Sequence, residues 1–453
     1  MKKYTPPDWL RDMDRDDYFF LDPDSDLEEA RAWWEDLGPW FQDRGYILYD
    51  KVYTDRELDM YAETPKLVFS GATTFPYAHI GGDGHCTDAE CSLRTRASYP
   101  RLVFAQDSQS RHVCIRVIKP EPSDEYKILS FLNEQSKLWT EENFPCIVPV
   151  LEILNNGKNY FAVSPRWDGG MEDQLPWFNT NGEVLDLIQC MLTALCYLHS
   201  NKIFHRDIHD GNILTNHFGC ANMPHRYSSL QRQELRAKGQ LVYALTDFNY
   251  SLMLPVDTDL RSCRLPIAES YPGVIEKPYG VVHGEVYFNP FAYDVACLGI
   301  TLSYQFQHLC SSLPILAPLL SGMLTSNTIE RFTAQEALAF FDDNRPKIWE
   351  YESLSPPQRE YIEDWQAYDR WTNVPPHLLK IWSRYRGERP SYFTERIVGR
   401  LCQRRWGRKL IFSVRRLLCF DILQPYLRKC VASLFSLGKL VKSVLVYTHI
   451  PFF

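Results

Sequence analysis

The sequence predicts an α+β protein in which a small strand-rich part precedes a larger helical part. Residues 101–105 and 112–118 are rich in β-forming residues, and the polar turn between them predicts a β-hairpin. Residues 124–132 predict a short helix, and residues 147–154 and 160–163 predict two more strands. These segments make up the strand-rich part.

The helical part follows these strands. One apolar stripe with helical spacing predicts a long amphipathic helix and consists of Val184, Leu187, Ile188, Met191, Leu195 and Leu198. Residues 314–341 predict further helix, and Thr333 and Glu336 there have the spacing of a capping box ahead of an apolar run.

Composition indicates a globular protein with a substantial core, because 45% of the 453 residues are hydrophobic and 23% are charged. The net charge of −8 is unevenly distributed. Residues 376–453 contain 16 Lys/Arg and 3 Asp/Glu, a charge of +13, so the rest of the chain carries −21. Such a tail is expected to meet an anionic surface.

The sequence also favours an intracellular, cytoplasmic protein. The 13 cysteines are scattered and odd in number, which is typical of reduced thiols. The first ten residues lack an apolar stretch, so we expect no secretory signal, and the absence of an 18-residue apolar run predicts no membrane-spanning helix.

A polar motif directly follows the predicted long helix and reads His-Arg-Asp-Ile-His-Asp-Gly-Asn-Ile-Leu over residues 205–214. Phosphoryl transfer needs a carboxylate that meets the acceptor hydroxyl and an oxygen ligand that holds a metal ion on the phosphates. Asp207 and Asn212 supply these two groups in one loop. A polar surface turn is the alternative interpretation, since short motifs occur by chance.

A second acidic motif follows a predicted strand over residues 241–246. Asp247, Phe248 and Asn249 stand at its end, where a carboxylate can bind the metal ion that bridges the phosphates. Asn is among the few residues other than glycine that tolerate positive φ, so Asn249 is compatible with a turn at this position. A polar insertion, about residues 216–239, separates this strand from the preceding one.

Together these motifs resemble those of the eukaryotic-type protein kinases over about residues 99–341. The HRDIHDGNIL loop, the VCIRVI strand and the RFTAQEALAFF helix are most similar to the fungal-type protein kinases of mushroom-forming fungi. The resemblance implies a bilobal protein-kinase-like fold, with a small β-rich N-lobe, a larger α-helical C-lobe, and N- and C-terminal extensions. It also implies ATP and Mg²⁺ as cofactors and a protein substrate phosphorylated on serine or threonine.

The resemblance also assigns the site residues. Catalysis falls to His205, Arg206, Asp207 and His209, and metal binding to Asn212 and Asp247. ATP binding falls to Arg116, Lys119, Glu125, Pro165 and Trp167, of which the last two flank the hinge that would hold the adenine. Asp294 is expected to brace the backbone of the catalytic loop.

Several positions depart from the family pattern. Arg116 stands where the family has lysine, and strand alternation favours it over Lys119 as the phosphate anchor, with Glu125 as its ion-pair partner. No glycine-rich loop precedes the hairpin, because the glycines of residues 81–84 lie too far upstream. Phe291 replaces the glutamate that pairs with Arg331, and Glu285 substitutes for it unless both charges lie on the surface.

The expected domains are an acidic helical extension over residues 1–75, a kinase-like domain over 85–345, and an extension with a basic tail over 346–453. Within the kinase-like domain, the N-lobe covers 85–167 and the C-lobe 168–345. Two alternative functions stay open. One is a pseudokinase that binds nucleotide or protein, and the other is a small-molecule phosphotransferase, which His209 favours.

Two further features bear on partners. The His/Cys groups at His85, Cys86 and Cys91 and at His217, Cys220 and His225 each offer three ligands, whereas structural zinc usually has four, so we expect no zinc site. Residues 410–447 combine apolar residues at helical spacing with basic ones, which predicts binding to anionic membranes. The alternative is a helix docked on the acidic body, and we expect no nucleic acid partner.

Overall fold

The computed structural model describes residues 23–53, 60–63, 74–80, 94–96, 100–169, 178–218, 225–274, 277–278, 281, 285–357, 365–366 and 368–386, together with short stretches between 397 and 414. The chain divides into two compact units. The first contains Met1–Tyr197, Asp210–Met253 and Glu352–Arg359. The second contains Leu198–His209, Leu254–Tyr351 and Glu360–Phe453.

The helices of the described residues are α1 (Pro23–Gln42), α2 (Asp124–Ser136), α3 (Asn181–Ser200), α4 (His225–Ala237), α5 (Pro290–Phe306), α6 (Leu316–Leu324), α7 (Ala334–Asn344), α8 (Trp349–Glu352) and α9 (Pro376–Trp382). The 3-10 turns include Asp210–Asn212 and Ile267–Ser270.

The strands are β1 (Ile47–Leu48), β2 (Asp50–Tyr53), β3 (Met60–Glu63), β4 (His79–Ile80), β5 (Arg94–Arg96), β6 (Leu102–Gln106), β7 (His112–Ile118), β8 (Glu152–Asn155), β9 (Tyr160–Pro165), β10 (Ile203–Phe204), β11 (Ile213–Thr215), β12 (His217–Phe218), β13 (Tyr243–Leu245), β14 (Leu252–Met253), β15 (Leu265–Pro266) and β16 (Tyr287–Phe288).

The first unit is built on a five-stranded antiparallel sheet with the order β1-β6-β7-β9-β8. The predicted hairpin is confirmed as β6 and β7, which pair from Leu102 with Arg116 to Gln106 with His112. The edge strand β1 comes from the region predicted to be a helical extension, and residues 49–101 separate it from β6. A second sheet, β2-β3-β5, lies within that excursion.

Helix α1 packs its aromatic face on the five-stranded sheet. Trp33, Trp34 and Phe41 are buried in one cluster with Ile115 and Phe161, and the Phe41 and Phe161 ring centroids lie 5.1 Å apart. Burial of a large apolar side chain stabilises a fold by about 1.5–3 kcal/mol. The N-terminal region therefore supplies part of the core of the first unit, and it contains strands as well as the expected helix.

The predicted helix after β7 is confirmed and extends to Ser136. The Ser123 side chain caps it by accepting the amide N–H of Tyr126 at 3.2 Å. This cap lets the helix begin six residues after the end of β7. Its buried face holds Ile128, Leu129 and Leu132 together with the carboxylate of Glu125.

The strand predicted over residues 147–154 is wrong in its first half. Only β8 is regular, whereas Ile147 makes a single bridge to Leu245. Pro149 has no amide N–H and cannot continue a ladder there. The next strand, β9, runs two residues further than predicted and includes Pro165.

The predicted insertion in the hairpin is confirmed in position but is more than a polar loop. Strands β11 and β13 pair antiparallel, and the chain between them forms β12 and α4. Strand β12 pairs in parallel with β4, so the insertion contacts the excursion between β1 and β6. Two arginines of α4, Arg232 and Arg236, are buried.

The second unit is organised around α5, which is almost wholly buried. Helices α6 and α7 also bury apolar residues, and the predicted capping box of α7 is confirmed by reciprocal hydrogen bonds between Thr333 and Glu336. The predicted C-terminal extension contributes tryptophans to this unit. The Trp371 indole donates to Ser321 Oγ at 2.9 Å, and the Trp382 indole donates to Asn344 Oδ1 at 2.9 Å.

In the part of the chain that the structure describes, none of the helices is both long and apolar enough to cross a membrane. The basic tail beyond residue 414 lies outside the described residues, as do the glycines of residues 81–84. Membrane binding by that tail and a cytoplasmic location stay predictions.

Candidate active site

Arg116 and Asp247 form the central ion pair of the site in the first unit. Arg116 lies on β7, and its Nη2 lies 2.9 Å from Oδ1 of Asp247, which stands two residues after β13. Both side chains are about one-fifth exposed, at 22% and 23%. A partly desolvated pair is screened less by water and salt than a surface pair. The structure therefore brings together two of the predicted site residues.

Lys119 also reaches this turn, because its Nζ lies 3.5 Å from the carbonyl oxygen of Asn249. Strand alternation does not decide its direction, since β7 ends at Ile118 and Lys119 lies beyond the ladder. The turn forms, but without a positive φ at Asn249. Asp247 has the left-handed conformation instead, with a φ of 68°, and its Oδ1 accepts the amide N–H of Asn249 at 3.2 Å.

Glu125 is 3% exposed, and one of its carboxylate oxygens accepts the backbone N–H of Lys119 at 3.0 Å. Burial raises the pKa of this carboxyl group, while the charge of Arg116 and the Lys119 amide oppose the rise. The positive charge of Arg116 favours the ionised form of Glu125, as the predicted ion pair requires. Arg116 itself lies at ion-pair distance from the Asp247 carboxylate.

Asn212 is held at the same end of the β11–β13 ribbon as Asp247. Ile213 and Leu245 are paired in the ribbon, and the amide N–H of Thr246 donates to the Asn212 carbonyl oxygen at 3.0 Å. Asn212 is 8% exposed. The ribbon therefore fixes an amide side chain and a carboxylate on two adjacent chain segments.

The predicted hinge residues follow β9. Pro165 is paired with Val113 as the last residue of that strand. The Trp167 side chain is buried in a cluster with Val148 and Phe218, and its indole N–H donates to the Pro76 carbonyl oxygen at 2.9 Å. Only the backbone of Trp167 is thus placed to meet a ligand.

Asp294 organises the catalytic loop in the second unit, as predicted. It is fully buried near the N-terminus of α5, and its two carboxylate oxygens accept the amide N–H groups of His205 at 2.8 Å and Arg206 at 2.9 Å. The Nε2 atom of His199 lies 3.2 Å from the same carboxylate. Hydrogen bonds to a charged acceptor are stronger than neutral ones, so this buried carboxylate has the partners it needs.

Asp207 lies next to two histidines in the same unit. Its amide N–H donates to Nδ1 of the buried His205 at 3.3 Å, which places the neutral-ring proton of that histidine on Nε2. His209 Nε2 lies 3.7 Å from Oδ2 of Asp207, and the His209 side chain is 44% exposed. The Asp207 carboxylate is 12% exposed and therefore remains accessible.

Comparison with known proteins gave a match to one family model. Residues 102–250 match the model of the protein kinase domain, and this range includes Arg116, Asp207, Asn212 and Asp247. The match covers about a third of the chain, and this part of the chain is similar to protein kinase domains. The predicted α+β kinase fold and the resemblance to the protein kinase superfamily are thereby confirmed, whereas the fungal-type subgroup stays a prediction.

One solved structure similar to this chain is the crystal structure of a yeast RNA polymerase II CTD kinase complex. It is 15% identical, with 57% of this chain and 91% of that chain covered and a TM-score of 0.36. The comparison with curated proteins gave no match.

Arg206 of the predicted catalytic loop has a partner that the sequence did not reveal. The Arg206 side chain is 7% exposed, and its Nη2 lies 2.6 Å from Oε2 of Glu269. The two residues are 63 positions apart and belong to no shared motif. Only the fold brings them together.

Of the two alternatives for Glu285 and Arg331, independent surface charges are excluded, because Glu285 is 9% and Arg331 is 4% exposed. The Arg331 guanidinium donates to the carbonyl oxygens of Ala292 and Thr325 at 2.8–3.1 Å. Burial lowers its pKa to about 10, and the negative charge of Glu285 opposes that fall. Backbone carbonyls and a nearby Glu285 thus replace the glutamate that the kinase family has at the position of Phe291.

Of the two His/Cys groups with zinc-like spacing, the structure describes the surroundings of His217. His217 is buried, and its ring nitrogens contact Gln231 and the Arg232 guanidinium at 3.0 Å each, so a cation already occupies one nitrogen. Residues 81–93 and 219–224, which hold the cysteines of both groups, lie outside the described residues.

Proposed function

We propose that this protein is an ATP- and Mg²⁺-dependent protein kinase that transfers the γ-phosphoryl group to serine or threonine hydroxyls of a protein substrate. The observation that carries the proposal is the placement of Asn212 and Asp247 at one end of the β11–β13 ribbon, with Arg116 2.9 Å from the Asp247 carboxylate. Oxygen ligands beside a fixed cation are the groups that phosphoryl transfer requires.

The donor set fits magnesium, which prefers oxygen ligands and is usually held by one or two carboxylates together with substrate phosphates. The Asp247 carboxylate and the Asn212 side-chain amide would hold the ion. When bound, the ion neutralises the charge that develops on the transferring phosphoryl group.

Arg116 and Lys119 would bind the phosphates of ATP, since both cations converge on residues 247–249. The hinge residues would hold the adenine through the backbone. The Arg166 amide already donates to the His112 carbonyl oxygen, and the Asp168 amide donates to that of Thr215. The backbone of Trp167, between them, is the part of the hinge that we assign to the nucleotide.

Asp207 would act as the general base that accepts the proton of the substrate hydroxyl. It stands five residues before Asn212 in one loop, and Asp294 fixes the backbone on its N-terminal side. His209, beside the Asp207 carboxylate, would stabilise charge on the γ-phosphoryl group in its protonated form.

The test is Asp207→Asn in the full chain, with phosphoryl transfer from labelled ATP to the protein itself and to a panel of protein substrates. We expect a loss of about a thousandfold in kcat, within the range for a general base, and nearly unchanged binding of an ATP analogue with magnesium. The exposed Asp343→Asn is the matched control. Equal turnover by wild type and Asp207→Asn would contradict the proposal.

The Arg116–Asp247 pair also favours a second candidate, a pseudokinase, because an arginine bound to the metal-ligating carboxylate competes with magnesium. Such a protein would bind the ATP analogue and give no transfer in the same assay. Transfer to small molecules but not to the protein panel would instead indicate a small-molecule phosphotransferase.

A further inference from the structure

Arg206 is held in one conformation by its surroundings. It has a φ of 74°, a left-handed conformation that costs free energy for a residue other than glycine. Its amide is bound to the buried Asp294 carboxylate at 2.9 Å, and the residue as a whole is 5% exposed. A guanidinium that is buried to this extent needs a charged partner.

That partner, Glu269, belongs to a segment anchored along its length. Residues 265–266 form β15 and pair with β16, and the hydroxyl of Tyr293 donates to the Ser270 carbonyl oxygen at 3.4 Å. At the end of the segment, Gly273 has a φ of 81°, and a Cβ there would lie 2.6 Å from the Arg206 carbonyl oxygen. The segment therefore contacts the backbone of the catalytic loop directly.

We propose that Glu269 is a positioning residue whose carboxylate docks residues 265–274 on the loop that carries Asp207, with no need for a phosphorylated side chain. In other kinases a segment of this kind is ordered when a new phosphate pairs with arginine. Here an ionised carboxylate already lies 2.6 Å from the arginine. The docking is thus a permanent property of the chain. This inference rests on the proposed kinase function.

The environment of the pair distinguishes it from an ordinary surface ion pair. Glu269 is 45% exposed, which by itself would make the interaction weak. Arg206, however, is 7% exposed, so loss of the carboxylate removes a charged partner from a desolvated cation. That loss weakens the hold on the arginine, whose backbone is continuous with that of Asp207.

The experiment compares Glu269→Gln and Glu269→Asp with the wild type, and uses the exposed Glu350→Gln as the matched control. Two properties are measured on the full chain after phosphatase treatment. The first is kcat and the KM for ATP, and the second is hydrogen exchange of the backbone amides in residues 265–274, including Ile267, which donates to Val286.

We expect Glu269→Gln to lower kcat by about tenfold with little change in the KM for ATP, as for loss of one charge-assisted hydrogen bond. Hydrogen exchange in residues 265–274 should become at least about tenfold faster, because losing that hydrogen bond lowers the free energy of local opening. Glu269→Asp should keep part of the wild-type kcat and part of the wild-type protection from exchange. Glu350→Gln should change neither kcat nor exchange.

Two results would overturn the proposal. One is a large loss of wild-type activity on phosphatase treatment, and the other is equal exchange in wild type and Glu269→Gln. The exchange measurement needs no catalysis. If the wild type transfers no phosphate, the proposed function fails, but the docking role of Glu269 is still decided.

Discussion

The buried carboxylate of Asp294 offers the sharpest test of how the catalytic loop is held. In Asp294→Asn, the amide oxygen can keep the site that accepts the N–H of His205 and contacts His199, and the NH₂ group then faces the N–H of Arg206. One charge-assisted bond is lost, which costs about 1.5–3 kcal/mol. The other two become neutral and weaken by about 1 kcal/mol each.

The expected loss in the free energy of unfolding is therefore about 3–5 kcal/mol, which agrees with the cost of breaking a buried charged network. Urea unfolding followed by tryptophan fluorescence and circular dichroism measures it. Asp343→Asn makes the same chemical change on an exposed part of α7 and should stay within about 0.5 kcal/mol of wild type. A loss below about 1 kcal/mol in Asp294→Asn would refute the reasoning, since the three contacts would then contribute little.

Two further predictions concern the first unit. Arg116→Ala should weaken binding of an ATP analogue with magnesium by about tenfold, and Lys119→Ala by less. The reason is that Arg116 contacts the Asp247 carboxylate at 2.9 Å, whereas Lys119 contacts the Asn249 carbonyl oxygen at 3.5 Å. Calorimetric titration measures both affinities, and the reverse order would contradict the assignment. Burial lowers the pKa of His217 to about 3, with the charge of Arg232 also contributing. The neutral ring therefore contributes its full amount to the free energy of unfolding above about pH 6.5, and this contribution is lost as pH falls toward 3. His217→Gln should lessen the fall in unfolding free energy between about pH 6 and 4 by about 1.4 kcal/mol per pH unit, measured by urea unfolding. The exposed His377→Gln should keep the wild-type slope, and an equal slope in His217→Gln would show that His217 does not stay neutral.

The elements that the sequence predicted well are those with a strong local pattern. Alternation and a polar turn located β6 and β7, and the apolar stripe located α3. The capping box located the start of α7 because its two hydrogen bonds join residues three apart. The prediction of a strand over residues 147–154 is wrong in its first half because Pro149 interrupts the ladder. The apolar run around Pro149 outweighed this local signal in the prediction.

Positions defined by distant partners escaped prediction. Both Asp247 and Asn249 can take positive φ, and the hydrogen bond from the Asn249 amide to the Asp247 carboxylate accompanies that conformation at Asp247. The sequence left open whether Glu285 and Arg331 lie on the surface, since charged residues are rarely buried, and the fold decides it by supplying backbone carbonyls to the buried arginine.

The sequence by itself determined the α+β class and located the polar loop of residues 205–214 and the acidic motif of residues 247–249, because hydrophobic periodicity and the spacing of chemical groups within a loop are local properties. Only the tertiary structure decided that α1 packs on the sheet of the first unit, that β1 joins this sheet and that Glu269 pairs with Arg206. These contacts join residues tens of positions apart and depend on how the backbone folds back on itself. No local pattern encodes them, because each residue is compatible on its own with an exposed position.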